Sequence, residues 1–333
     1  MPRLRTVSPS SPGFSRRRAG SGWTFLDQDG QRIADGDEIE RIKSLAIPPA
    51  WEEVWISPYP NGHIQAVGTD DAGRRQYLYH PDWRTKRDRM KFDRVLDAAR
   101  KLPAARRAVE RDLGLDGMPL ERADAVAVRL LDLGYFRIGS DIYADTNGSF
   151  GLTTLEKRHV SKDKDRLVFT FEGKSGIEHS IEIDDPEILA VLDSLRRRRG
   201  GSERLLAYQL QRRWHDLDST AVNTCIRGLF EDLTAKDFRT WHATVLAAAA
   251  LAATDEPGDT KRSRQRAIKA AVTEVAEYLG NTPTIARSSY IDPRVIDLYE
   301  SGTTIDPYLV TKKYRSPAAK QRILESAVLD LLS

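Results

Sequence analysis

At Pro81 the hydrophobic period of this 333-residue chain changes, and no other feature constrains its fold more. Upstream, short runs rich in aromatic and β-branched residues alternate with turn signals. Gly22-Trp-Thr-Phe-Leu leads into Asp27-Gln-Asp-Gly30. Val54-Trp-Ile breaks at 58–62, resumes as His63-Ile-Gln-Ala-Val, turns at 70–73 and continues as Gln76-Tyr-Leu-Tyr. Downstream, residues 91–100, 104–112 and 122–134 carry apolar side chains at helical spacing. A second β region is expected at 152–155, 166–171 and 177–183, with Glu172-Gly-Lys-Ser-Gly176 as a hairpin turn. The remainder reads as helices over 186–199, 206–214, 220–233, 243–253, 260–279 and 318–332. The expected fold is therefore α+β: a small N-terminal antiparallel β domain at 21–85, then a larger, mainly helical domain at 86–333 interrupted by one hairpin. Residues 1–20, rich in Ser, Pro, Gly and Arg without a hydrophobic period, read as a mobile basic arm.

Composition excludes several classes of function. The longest apolar stretch, 245–253, is mostly alanine and too short to cross a bilayer, so it reads as a closely packed helix and no membrane partner is expected. The N-terminal arginines are followed by Ser, Pro and Gly rather than an apolar run, which predicts no secretory signal and a cytoplasmic location. A lone Cys225 can form neither an internal disulfide nor a cysteine metal site. The sequence shows no P-loop, no dinucleotide fingerprint, no zinc spacing and no acidic cluster suited to magnesium, so neither cofactor nor metal is expected. The 52 basic and 49 acidic residues nearly cancel, yet the basic ones cluster at 16–18, 84–94, 196–199 and 261–266, as faces that meet phosphate would require.

The chemistry-bearing residues lie at turning points. Gly134-Tyr-Phe-Arg137-Ile-Gly ends a helix, Gly173-Lys174-Ser-Gly caps a hairpin, Lys236-Asp-Phe-Arg239-Thr precedes a helix, and Leu279-Gly-Asn281 leads to Tyr290. Transfer of a phosphodiester to a tyrosine needs such groups: cations for charge developing on phosphate oxygens, an acid for the leaving oxygen, and a phenol nucleophile.

From Trp23 to Tyr290 the chain resembles the poxvirus-like type IB DNA topoisomerases, in the branch found in bacteria. The resemblance rests on Val54-Trp-Ile-Ser-Pro-Tyr-Pro-Asn-Gly-His-Ile-Gln-Ala, Gly73-Arg-Arg-Gln-Tyr-Leu-Tyr-His-Pro, Gly148-Ser-Phe-Gly-Leu-Thr-Thr-Leu, Lys236-Asp-Phe-Arg-Thr and Glu277-Tyr-Leu-Gly-Asn-Thr-Pro, in that order. It implies the catalytic fold shared with tyrosine recombinases, and an isomerase that relaxes positive and negative supercoils without ATP or metal. One strand would be cut through a 3′-phosphotyrosyl intermediate, swivel and be rejoined. It also implies Tyr290 as nucleophile, Arg137 and Arg239 as grips on the non-bridging oxygens, and Lys174 as acid for the leaving 5′ oxygen. Viral relatives carry a histidine nine residues before the tyrosine. Here Asn281 stands there, as a neutral donor to phosphate or as a helix C-cap beside Gly280. Gln76, Tyr77, Tyr79, Tyr143 and Lys236 fall on segments the family uses to touch DNA, although Tyr77 and Tyr79 share a strand face that a core could claim. None of His63, His80, His159, His179, His215 and His242 follows ligand spacing, and none is assigned a role.

The implied partner is double-stranded DNA, bound by a nucleoid-associated monomer with no obligate protein partner. A tyrosine recombinase is the alternative. That family places a histidine three residues before its second arginine, where this chain has Lys236, and favours a helical N-terminal domain. A third reading, a DNA-architectural protein that binds without cutting, predicts indifference to Tyr290→Phe.

Overall fold

In the computed structural model, residues 3–134, 136–139, 141, 144, 148–254 and 260–333 are described. The chain divides into two compact units, Met1–Lys91 and Phe92–Ser333. The division falls after residue 91 rather than 85, within a helix (α2, Pro81–Leu113) that the sequence splits at Pro103. Proline removes one backbone donor there without ending the helix.

In the first unit, β1 (Ser15–Ala19) and β2 (Gly22–Leu26) form a hairpin, and β3 (Glu52–Ile56), β4 (Ile64–Thr69) and β5 (Arg75–Tyr79) form an antiparallel sheet in that order. A helix the sequence reading does not anticipate, α1 (Gly36–Ser44), starts at Asp35, whose carboxylate accepts from Asp37 N at 3.0 Å. Phe25, Ile33, Ile42, Val54, Ile56 and Ala66 make the core. The basic arm is not a free arm. Arg5 bridges to Gly62, Phe14 to Ile56, and residues 15–19 pair with 22–26. Arg16 donates to the carbonyls of Ile47, Pro48 and Trp51 and stacks on Trp23 at 3.9 Å, while Arg5 stacks on Tyr59 at 3.5 Å. These arginines bind backbone oxygens and aromatic faces, a use that composition does not reveal.

In the second unit, α3 (Leu120–Asp132) precedes the sheet β6 (Val160–Asp163), β7 (Arg166–Glu172) and β8 (Glu178–Ile183). The expected strand at 152–155 is instead a turn of 3₁₀ helix, Leu152–Thr154, and β6 supplies the third strand. There follow α4 (Pro186–Arg197), the hairpin β9 (Ala207–Leu210) and β10 (Arg213–Asp216), then α5 (Ser219–Phe230), α6 (Ala235–Ala252) and α7 (Lys261–Leu279). The last elements are α8 (Pro283–Ser289), α9 (Pro293–Glu300), α10 (Tyr308–Thr311) and α11 (Pro317–Leu331). The β9–β10 hairpin replaces an expected helix at 206–214. Its turn residues Gln211 and Arg212 have φ of 50° and 66°, the geometry of a two-residue hairpin turn that Asn-Gly or Asp-Gly normally announces.

The core of this unit is one continuous apolar cluster in which α6 is buried on nearly every face, as its alanine-rich sequence requires. Arg106 of α2 donates to Asp132 at 2.7 Å and to Glu325 of α11 at 2.7 Å, tying the C-terminal helix to the core. Burial opposes ionisation of Asp132, but the hydrogen bonds and charge of Arg106 hold its carboxyl below the usual range. No helix among the described residues is long and apolar enough to cross a membrane.

Candidate active site

The C-terminus of α7 is where the distant basic residues meet. Gly280 closes the helix with φ +59°, and Asn281 N returns to Ala276 O at 2.9 Å, so the helix ends in a left-handed glycine cap. This cap leaves the carbonyls of Leu279 and Gly280 free of helical partners, at the negative end of the helix dipole. Both guanidinium groups use them. Arg239 Nη2 donates to Leu279 O at 2.5 Å, and Arg137 Nη2 to Gly280 O at 3.0 Å. Two like charges are thereby held together by partial negative charge. Burial, and then the nearby Arg137, push the Arg239 pKa down to about 10, which still leaves it protonated at neutral pH.

Each arginine is delivered by a different element. Arg239 is 2% exposed on α6, whose start is fixed by a reciprocal box: Thr234 N donates to Asp237 Oδ2 at 2.9 Å, and Asp237 N reaches Thr234 O. Arg137 follows Phe136, which is fully buried edge-on against Phe169 at 5.2 Å and stacked on Phe171. Its carbonyl accepts from Leu152 N at 2.8 Å. Gly139 and Gly151 permit this close pairing, since a Cβ on Gly151 would lie 2.5 Å from Gly139 Cα.

Tyr290 ends α8, half-buried, with its ring centroid 5.6 Å from Arg239 Cζ and 5.7 Å from Lys236 Nζ. Arg239 and the Tyr290 side chain are hydrogen-bond partners. The tyrosine backbone is held on both sides: Tyr290 N donates to Ala286 O at 3.1 Å, and two residues on, Asp292 N donates to Thr244 Oγ1 at 3.1 Å, while the Thr244 proton goes to Thr240 O at 2.9 Å. Asn281 accepts from Arg137 Nη2 through Oδ1 at 2.8 Å, and its Nδ2 is buried with no hydrogen-bond partner among the described residues. Of its two sequence readings, the C-cap falls to Gly280 instead, and the Asn281 side chain faces Arg137. Lys174 is exposed at the β7–β8 turn and makes no hydrogen bond or ion pair among the described residues.

One member of this cluster goes unassigned in the sequence. His179 of β8 stacks on its cross-strand neighbour Phe171 at 5.2 Å, in a notch that two glycines clear. A Cβ on Gly173 would meet its ring at 2.6 Å, and one on Gly280 at 3.0 Å. The imidazole therefore spans from the neck of the Lys174 hairpin to the cap that holds both arginines. Burial, then the charges of Arg137 and Arg239, hold its pKa below the usual histidine value. The only sequence signal was its place five residues after Lys174 on an alternating strand.

The DNA-contact candidates fall out unevenly. Tyr77 is 42% exposed and its ring stacks with that of Tyr79 at 6.0 Å, while Leu78 turns to the core, so the shared tyrosine face is not the core face. Gln76 donates to Asp70 at 2.9 Å. Lys236 lies against the Tyr290 ring. Tyr143 lies outside the described residues.

Comparison with known proteins bears on the whole arrangement. Residues 80–303 match the family model for the catalytic core of eukaryotic DNA topoisomerase I, and residues 22–70 match the N-terminal domain of bacterial DNA topoisomerase IB. DNA topoisomerase 1B of Acanthamoeba polyphaga mimivirus is 28% identical over 304 residues, covering 87% of this chain and 88% of the relative. DNA topoisomerase 1B of Vaccinia virus is 24% identical over 298 residues, covering 83% and 88%. A solved structure of the XerH site-specific recombinase bound to its difH substrate aligns with a TM-score of 0.33 at 14% identity, over 71% of this chain and 59% of that one. The two family models together span most of the sequence, and the chain belongs to the type IB DNA topoisomerases.

Proposed function

We propose that this enzyme relaxes positively and negatively supercoiled DNA by cutting one strand with Tyr290, letting the duplex swivel, and resealing. The observation that carries the reading is the convergence of Arg137, Arg239, Asn281 and the Tyr290 ring on the C-terminal cap of α7. The phenol releases its proton to solvent as its oxygen attacks phosphorus, the bond to the 5′ oxygen breaks, and a 3′-phosphotyrosyl ester forms. Lys174 gives the departing 5′ oxygen its proton, and the reverse transfer reseals the strand. One phosphodiester replaces another of similar free energy, so relaxation of torsion supplies the direction.

The guanidinium groups stabilise charge on the non-bridging oxygens, where Arg239 also donates toward the attacking phenol. The unfilled Nδ2 of Asn281 supplies a further neutral donor. His179 keeps the Lys174 hairpin registered against the cap. Tyr77 and Tyr79 offer an exposed aromatic and hydroxyl face to the DNA, Gln76 reaches a base by exchanging its bond with Asp70, and Tyr143 and Lys236 contact phosphate. The protein acts in the cytoplasm, on the nucleoid, as a monomer on one duplex.

The test is supercoiled plasmid incubated with chelator and without ATP. Relaxation of both supercoil signs should occur, and Tyr290→Phe should abolish it while DNA binding persists. Protein recovered on a 5′ rather than a 3′ end would overturn the assignment, and recombination of a two-site plasmid would favour a recombinase.

A further inference from the structure

Away from these residues, a cleft of about 500 Å³ opens between the end of α2 and the starts of α3 and α5. Asp112, Glu121, Asp124 and Asp218 line it, with Leu120 and Cys225 among its less polar walls and no lysine or arginine. Asp112 is paired outside the cleft with Arg111 at 3.3 Å, and Asp218 caps α5 through Ala221 N at 2.8 Å. The N-termini of α3 and α5 each contribute roughly half a positive charge, too little to offset the remaining carboxylates of Glu121, Asp124 and Asp218. Asp124 is the unusual member. It is 8% exposed, and among the described residues its buried Oδ1 has no hydrogen-bond partner and no ion pair reaches it. A buried carboxylate left in this state is costly unless something outside the protein neutralises it.

We propose that this cleft binds a small organic polyammonium ion, with one ammonium group on Asp124 and the others toward Glu121 and Asp218. The volume lies within the range of small-molecule pockets. Among the described residues no three acidic, histidine or cysteine side chains approach closely enough to share one metal ion, so spaced positive charges on an aliphatic chain fit better than a single cation. The ammonium groups answer the carboxylates and the methylenes lie along Leu120 and Cys225.

Binding should be linked to protons. The Asp124 carboxyl is pushed up to about 6, first by burial and then by Glu121 and Asp218, and an ammonium ion binds only its ionised form. Cys225, the one thiol on the cleft beside the four carboxyls, is pushed up to about 12 by burial and then by Asp124 and Asp112, and stays neutral throughout.

The experiment is calorimetric titration of the full chain, free of DNA, with spermidine and separately with magnesium chloride. Spermidine should saturate one site at pH 7.5, weaken about tenfold or more in Asp124→Asn, as expected for the loss of one charge contact, and remain unchanged in the surface control Asp330→Asn. In the wild-type protein the same site should weaken as the pH is lowered from 7.5 to 5, a comparison that needs no variant. Non-saturating binding, equal affinity in Asp124→Asn, indifference to pH, or a site filled by magnesium in place of spermidine would each overturn the proposal.

Discussion

Arg137 Nη2 and Asn281 Oδ1 are 2.8 Å apart, so the arginine fixes which way the amide faces. The acceptor is used up by a guanidinium, and the buried Nδ2 donor has no partner among the described residues. An unmet buried donor costs about 1–3 kcal/mol, a penalty that a phosphate oxygen arriving at this point would relieve. Asn281→Ala should therefore slow single-turnover cleavage of a duplex oligonucleotide by about 10- to 100-fold, the equivalent of one such hydrogen bond. Asn281→Asp should be slower still, because it keeps the bond to Arg137 but turns a donor into an anion facing phosphate. A cleavage rate for Asn281→Asp equal to wild type would remove Asn281 from the site.

His179 makes a pH-dependent prediction. Its folded pKa lies below the ordinary value, so the packed state prefers the neutral ring; protonation as the pH falls below about 6.5 works against the packing. Cleavage should show an acid limb in that range that is absent in His179→Phe, where the ring still stacks on Phe171 but does not titrate. His179→Ala should lower the cleavage rate at neutral pH with DNA affinity little changed. A pH profile of His179→Phe that matches wild type would show that the ring only fills space.

Asp124 affects stability with the opposite charge sign. Its folded pKa is about 6 against an ordinary value of 3.8, so between those values the unfolded chain loses a proton that the folded chain retains, and stability falls as pH rises. Above pH 6 the penalty is fully present. Asp124→Asn should stabilise the protein there by roughly 1–3 kcal/mol and by little near pH 4, as read from urea unfolding at the two pH values.

The Arg106 bridge predicts a large loss. Arg106→Met leaves Asp132 and Glu325, both nearly inaccessible, with their shared cation gone, which should cost about 3–5 kcal/mol. Limited proteolysis should then release α11 first. Partial restoration by adding Asp132→Asn and Glu325→Gln would identify uncompensated charge, rather than lost packing, as the cause.

Much of this was legible in the chain, because the two hydrophobic periods and the basic-residue motifs are local signals. The change of period at Pro81 marks the step from the first sheet to the long helix α2, and the motifs around Arg137, Arg239 and Asn281 single out residues that the fold brings to one helix cap. What escaped depends on atoms distant in sequence. The first twenty residues read as an arm because Arg5 and Arg16 look solvated until Tyr59, Trp23 and the 47–51 carbonyls are brought to them. The β9–β10 turn uses positive φ at Gln211 and Arg212, residues that announce nothing. His179 acquires meaning only when Gly280, a hundred residues later, vacates space beside it.

The anchoring of the main chain on both sides of Tyr290 has a mechanical consequence. A strand esterified to that phenol would hang from a post whose root is fastened to α8 through Ala286 O and, two residues on, to α6, where Thr244 Oγ1 accepts from Asp292 N at 3.1 Å. Torque from the unwinding helix would thus be absorbed as friction along the rotating duplex, while the anchored end keeps its aim and is ready to be rejoined whenever the free hydroxyl swings past.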